Sequence, residues 1–146
     1  MIAPPATDTI ELASRLRISV TRLARKLRQE AGPGITPSQL IALSTIERAG
    51  AMTIGELCAA EQVQPPTMTR IVACLVDAGL VTREVDPTDR RVAWVRVTPE
   101  GAKLLQRSRR RKEEYLSRQL RRLEAGELVV LEEAAEILAR LVGGGR

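Results

Sequence analysis

The side chains of this sequence best suited to chemistry are arginines standing beside short polar and acidic groups. One set is the string Asp86-Pro87-Thr88-Asp89-Arg90-Arg91, in which two guanidiniums follow a turn-forming stretch. The other is Gln64-Pro65-Pro66-Thr67-Met68-Thr69-Arg70. A guanidinium forks onto a phosphate or onto guanine, a glutamine amide pairs with adenine, and a threonine reaches a thymine methyl or a phosphate oxygen. These are reversible contacts to a polyanion. Bond-making chemistry has little to draw on, because histidine is absent and with it the commonest metal ligand and the usual general base. No nucleophile-base pair, metal-ligand spacing or glycine-rich phosphate loop stands in the sequence, so neither an enzyme nor a cofactor or metal site is expected.

Composition sets the frame for these groups. A chain of 146 residues with 44% hydrophobic content supports one packed domain, or a small domain with helical extensions. Lysine and arginine number 23 against 18 acids, a net charge of +5, which favours polyanionic partners. Nearly all of that positive charge is arginine, a bias that suits nucleic acid and that a GC-rich genome would also produce. No run of about twenty apolar residues and no charged segment leading into an apolar one is present, so no membrane partner or signal peptide is expected. The expected location is the cytoplasm, with the nucleoid when bound to DNA. Cys58 and Cys74 lack CxxC spacing and are expected as buried small hydrophobes, with a redox switch as the alternative. Without phenylalanine, and with Trp94 and Tyr115 as the sole aromatics, the core must be built from Leu, Val, Ile and Ala.

The elements that position the polar groups follow from periodicity and breakers. From Asp8 to about Glu30, Ala13, Leu16, Val20, Leu23 and Leu27 recur at three-four spacing, the stripe of an amphipathic helix whose other faces carry arginines. Gly32-Pro33-Gly34 breaks it. Thr36-Pro37-Ser38-Gln39 then starts a second helix with an N-cap, a first-turn proline and a capping-box glutamine, running to about Arg48. Gly50 ends that helix, and Thr53 with Glu56 opens a short third one through Ala60. The fourth begins after Val63, turns Met68, Ile71, Val72, Leu75 and Val76 inward, and is closed by Gly79 as a left-handed cap. Two β-prone runs around the charged loop read as a hairpin with a basic tip, on which Trp94 faces away from Ala93 and Val95. Thr98-Pro99-Glu100 starts a long fifth helix that Ala125-Gly126 interrupts, and a last helix runs until the tail Gly143-Gly144-Gly145 frays.

A short helix packed across a second one that opens on exposed polar residues is a helix-turn-helix, and a hairpin directly after it is a wing. A helix fits the major groove of B-DNA when its first turns reach base edges and its inner stripe anchors it to the domain. Gln64, Pro65, Pro66, Thr67, Thr69 and Arg70 are therefore the candidate recognition surface. Arg83, Asp89, Arg90 and Arg91 are the candidate wing contacts, an arginine at the tip entering the minor groove while Asp86 or Asp89 orients it. Each set also has a plainer reading: polar side chains that merely satisfy the orphan amides of a helix start, and a solvated turn held by weak surface ion pairs. The two in succession make a more specific pattern than either alone.

The segment from Val63 to Leu80, then Val81 to Val85, and the wing string Asp86 to Arg91 leading into Val95-Arg96-Val97-Thr98-Pro99-Glu100-Gly101 resemble the MarR family of winged-helix regulators, over nearly the whole chain. The Asp-variable-Arg element of that family's wing falls on Asp89 and Arg91, with Arg90 in the variable place. The resemblance implies a homodimer whose first and last helices interlock, and a repressor or activator whose DNA affinity responds to small, often aromatic or lipophilic ligands. Peroxide-sensing members use a cysteine in the first helix and zinc-sensing members use a set of histidines and acids; the first-helix cysteine and every histidine of such a set are missing here.

The dimer also follows from the residues. A winged core of about sixty residues cannot cover the apolar stripes of both terminal helices, so a second chain is the economical cover; packing of the first helix on the last within one chain is the alternative. The residues expected at that interface are Ala13, Leu16, Val20, Leu128, Leu131, Ala135, Leu138 and Val142. Tyr115 is a candidate for lining an effector pocket, or ordinary core. Arg107, Arg109, Arg110 and Arg111 are expected as a solvated face paired with Glu113 and Glu114, with phosphate contact as the alternative. The expected fold is mainly α with a small β-hairpin wing (α+β). Residues 36–97 form the winged helix-turn-helix, and 1–35 with 98–146 form the dimerisation region. The expected function is sequence-specific binding of double-stranded DNA by a homodimer at a pseudo-palindromic operator, as a repressor released by a small lipophilic or aromatic effector. The alternative is a winged-helix module that binds proteins without DNA.

Overall fold

The computed structural model describes residues 6–143, and local caps account for most of its element boundaries. The Asp8 carboxylate accepts the Ile10 and Glu11 amides and starts helix α1 (Thr9–Glu30). Thr36 and Gln39 form a reciprocal capping box, with Pro37 in the first turn, at the start of α2 (Pro37–Ala49). The same device, Thr53 with Glu56, opens α3 (Ile54–Glu61). The turn that follows places Gln62 at φ 53, the one left-handed non-glycine among the described residues. Helix α4 (Pro65–Asp77) begins on its two prolines, where the missing N–H groups remove no helical bond. It ends in a Schellman motif: Gly79 sits at φ 74, with the Leu80 amide donating to the Leu75 carbonyl and Gly79 to Val76.

Strands β2 (Val81–Val85) and β3 (Ala93–Val97) form the expected hairpin, but the sheet has a third member. Strand β1 (Met52–Thr53) pairs antiparallel with the other edge of β3, Met52 opposite Val95 and Thr53 opposite Trp94, giving the order β1-β3-β2. A two-residue strand is too short to leave an alternating pattern, and Thr53 doubles as the cap of α3. Helix α5 (Pro99–Leu120) starts where the Thr98 hydroxyl accepts the Gly101 amide and donates to the Gly79 carbonyl at 2.6 Å. Gly101 is required there: a Cβ would lie 2.2 Å from the Leu80 carbonyl oxygen and 2.8 Å from Val97 Cγ1. The expected break at Ala125-Gly126 falls earlier, at residues 121–124, since those two residues open α6 (Ala125–Gly143). The Glu127 carboxylate accepts the Glu124 amide and caps the new helix. Helix α6 includes Gly143, while Gly144 and Gly145 of the expected frayed tail lie outside the described residues.

The core is aliphatic. Leu43, Ile46, Leu57, Met68, Val72, Leu75 and Val95 are fully buried where α2, α3, α4 and the sheet meet, and Leu105 brings α5 onto them. Cys58 is half-buried against this cluster, but Cys74 is exposed. The expectation of a buried Cys74 is thus corrected: on α4 the inward stripe is carried by Met68, Val72 and Leu75, and Cys74 turns away from it. Helix α1 packs along α5, yet neither α1 nor α6 contains a buried residue.

Candidate nucleic-acid interface

Helix α4 is anchored by one side and open on the other. Met68, Val72 and Leu75 are buried, with Ile71 half-buried, whereas Gln64, Pro65, Pro66, Thr67, Thr69 and Arg70 are all exposed. Gln64 is the N-cap residue but makes no side-chain capping bond. Capping therefore does not explain the glutamine, and its amide is available to a partner. Around this end the helix-turn-helix is braced by the Thr45 hydroxyl of α2, which donates to the Glu61 carboxylate at the end of α3.

The wing loop, residues 86–92, is tied by hydrogen bonds at its two aspartates. Asp86 Oδ1 accepts the Thr88 amide at 2.8 Å, the Thr88 hydroxyl at 2.6 Å and the Asp89 amide at 3.1 Å. Its Oδ2 accepts the indole N–H of Trp94 at 2.9 Å. These donors, the Thr88 hydroxyl first and the indole second, hold the Asp86 carboxyl well below the usual carboxylate range. Asp89 in turn accepts Arg91: its Oδ1 takes the backbone amide at 3.0 Å and Nε at 3.1 Å, and its Oδ2 takes an Nη at 3.2 Å. The Arg91 side chain and then its amide lower the Asp89 carboxyl as well. The Arg91 side chain is nonetheless 90% exposed, so the ion pair adds little stability and acts by orienting the guanidinium. Of the two acids considered as partners of a wing arginine, Asp89 holds it, while Asp86 organises the loop. Arg90 is exposed and joins no ion pair among the described residues.

Other residues fall elsewhere. Arg83 lies opposite Val95 in the hairpin, away from the loop, and lines a cavity of about 170 Å³ with Thr69 and Asp77 of α4. It thus joins the recognition helix and stands apart from Arg90 and Arg91. Arg109 pairs with Glu47 of α2 at 2.9 Å, where pairing with Glu113 and Glu114 was expected; neither of those acids forms an ion pair among the described residues. The cross-helix pair wins because α5 packs on α2 at this point. Between α2 and α5 lies a cavity of about 240 Å³, with Leu40, Ile41 and Leu105 on its apolar side and Arg48 and Lys112 on its charged side. Partial burial, reinforced by Arg109 and Arg28, pushes the Lys112 ammonium below its usual range. Tyr115, half-buried three residues further along α5, is not among the residues lining this cavity.

On the terminal helices, Ala13, Leu16, Val20, Leu128, Leu131, Ala135 and Val142 are exposed and Leu138 is half-buried. Among the described residues, no helix is long and apolar enough to cross a membrane. Trp94 and Thr88 are functional candidates that sequence reasoning passed over. The available signal was the chain's single tryptophan on the strand leaving an Asp-led loop.

The family model described as the MarR family matches residues 35–93, the stretch from just before the α2 cap to the first residue of β3. An HTH-type transcriptional regulator of Mycobacterium leprae is 42% identical over 132 residues, covering 90% of this chain and 92% of that protein. Among solved structures, a protein of Pseudomonas aeruginosa described as a transcriptional regulator superposes with a TM-score of 0.82 at 34% identity, covering 94% of this chain and 99% of that one. A variant of MarR from E. coli in complex with operator DNA gives a TM-score of 0.60 at 26% identity, over 90% of this chain and 99% of that one.

Proposed function

This chain belongs to the MarR family of transcriptional regulators, and on that premise we propose that it is a homodimeric repressor that reads a pseudo-palindromic operator in double-stranded DNA. The observation that carries this reading is the exposure of Gln64, Thr67, Thr69 and Arg70 on a helix whose opposite stripe is buried. In the proposed complex the first turns of α4 enter the major groove and supply selectivity. Arg91, with Arg90 beside it, enters the neighbouring minor groove, where a narrow groove concentrates negative potential. The likeness to a MarR variant from E. coli solved with operator DNA supports DNA as the partner.

Residues 36–97 act in this proposal as the DNA-binding region, and 1–35 with 98–146 as the dimerisation region. Apolar residues of α1 and α6, from Ala13, Leu16 and Val20 to Leu128, Leu131, Ala135, Leu138 and Val142, interlock with the same residues of the partner copy, which places two α4 helices in successive major grooves ~34 Å apart. The cavity between α2 and α5 is the proposed effector site. A small aromatic or lipophilic ligand places its apolar part against Leu40 and Ile41, and a negative group on it relieves Lys112; Tyr115, the residue first considered for such a pocket, does not line this cavity. A ligand that favours a lobe spacing unsuited to DNA weakens DNA binding by linkage.

Titrating the purified protein against random-sequence duplex at several salt concentrations tests the core of this reading. Binding that weakens steeply as salt rises is expected, because each neutralised phosphate releases counterion. A winged-helix module that binds only proteins shows no salt-sensitive retardation at any ionic strength.

A further inference from the structure

We propose that Trp94 is a positioning residue for DNA binding, its indole N–H acting through the Asp86 carboxylate to hold the wing loop in the conformation that presents Arg91. The proposal rests on the DNA-binding reading above and extends it to a residue whose side-chain hydrogen bond goes to Asp86 and not to Arg91.

The loop has only two backbone hydrogen bonds of its own, Asp86 N–H to the Val92 carbonyl at 2.8 Å and Val92 N–H to the Asp89 carbonyl at 3.0 Å. Most of its order comes from the Asp86 carboxylate, whose two oxygens do different work. Oδ1 gathers Thr88 and Asp89, and Oδ2 is tied to Trp94. Trp94 is the rigid end of this chain of contacts. Its backbone belongs to the central strand, paired with Glu84 on one side and Thr53 on the other. From that strand, order passes to Asp86, then to Asp89 through its amide, and then to Arg91 through three hydrogen bonds. Without the indole N–H, Oδ2 loses its tie to the sheet and the carboxylate is free to turn with the loop. A loop that must be ordered on binding costs affinity that a pre-ordered one does not. Trp94 alternates with the buried Ala93 and Val95 and, half-buried itself, lies outside the buried core cluster.

The test is a double-mutant cycle on the full chain, read as affinity for one duplex. Trp94→Phe keeps an aromatic ring on the strand and removes the N–H; Arg91→Ala removes the group said to be positioned. Trp94→Phe is expected to weaken binding by about tenfold in the otherwise unchanged protein and to have a much smaller effect, confined to what Arg90 contributes, once Arg91 is alanine. Asp86→Asn, which keeps the shape and weakens the acceptor, is expected to show the same dependence on Arg91, so the proposal stays testable if the phenylalanine variant folds poorly. Equal losses in both Arg91 backgrounds, or unchanged affinity in both variants while the unaltered protein binds duplex normally, would overturn it. An unaltered protein that ignores duplex would sink the DNA-binding reading first, and this proposal with it.

Discussion

Arg91 is held by Asp89 yet almost wholly exposed, an arrangement that makes sense when the guanidinium has a partner to meet. Replacing it by alanine is expected to lower duplex affinity and to flatten the dependence of log affinity on log salt by about one unit for each phosphate no longer neutralised; an unchanged slope would take the wing out of the mechanism. The aspartates behind it carry a pH prediction. Both carboxyls are held below their ordinary range, so what they contribute to the folded wing is complete above the usual carboxylate pKa of ~4 and is lost only as pH falls through the lower, folded values. Emission from the chain's single tryptophan, whose indole touches Asp86, should therefore stay constant from neutral pH through pH ~4 and change only in stronger acid. A change centred on ~4 would mean the carboxylate is not held. At this scale the arginines and Asp89 were legible because their spacing in the loop is local. The link from Trp94 to Asp86 was not, because it depends on strand register.

Helix boundaries were legible wherever a cap is written in the sequence. Thr36 with Gln39, Thr53 with Glu56 and Gly79 each specify a local set of hydrogen bonds, and each was found where expected. Two features escaped this logic. Strand β1 takes its identity from pairing with a strand some forty residues away, and the α5–α6 break is set by the cap between Glu124 and Glu127, with Gly126 inside the new helix. These placements give opposite predictions for two glycines. Gly101→Ala forces a methyl into the Leu80 backbone, so it is expected to cost about 3 kcal/mol or more, since backbone yields less readily than a flexible side chain. A Cβ added at Gly126 would meet nothing within 4 Å, and Gly126→Ala is expected to stabilise by up to about 1 kcal/mol through helix propensity. Urea denaturation of the two variants checks both; equal effects would contradict the assigned packing of α5 or the assigned start of α6.

The whole molecule is lopsided, with a well-packed lobe around α4 and terminal helices that bury no residue. Leu131 and Val130 are 43% and 63% exposed on α6, an arrangement that the proposed second copy would relieve. The apolar stripes could be read from three-four spacing, whereas the second copy proposed to cover them would leave no further trace in one sequence. Leu131→Glu is expected to shift the protein from dimer to monomer in sedimentation analysis and to weaken duplex binding by more than about tenfold, since one lobe loses the other's contribution; a variant that remains dimeric would move the interface elsewhere. The most direct test of paired lobes is selection of bound fragments from a random duplex library. Two inverted half-sites with centres about 10–10.5 base pairs apart are predicted. Recovery of single, asymmetric sites, or no enrichment at all, would contradict the account.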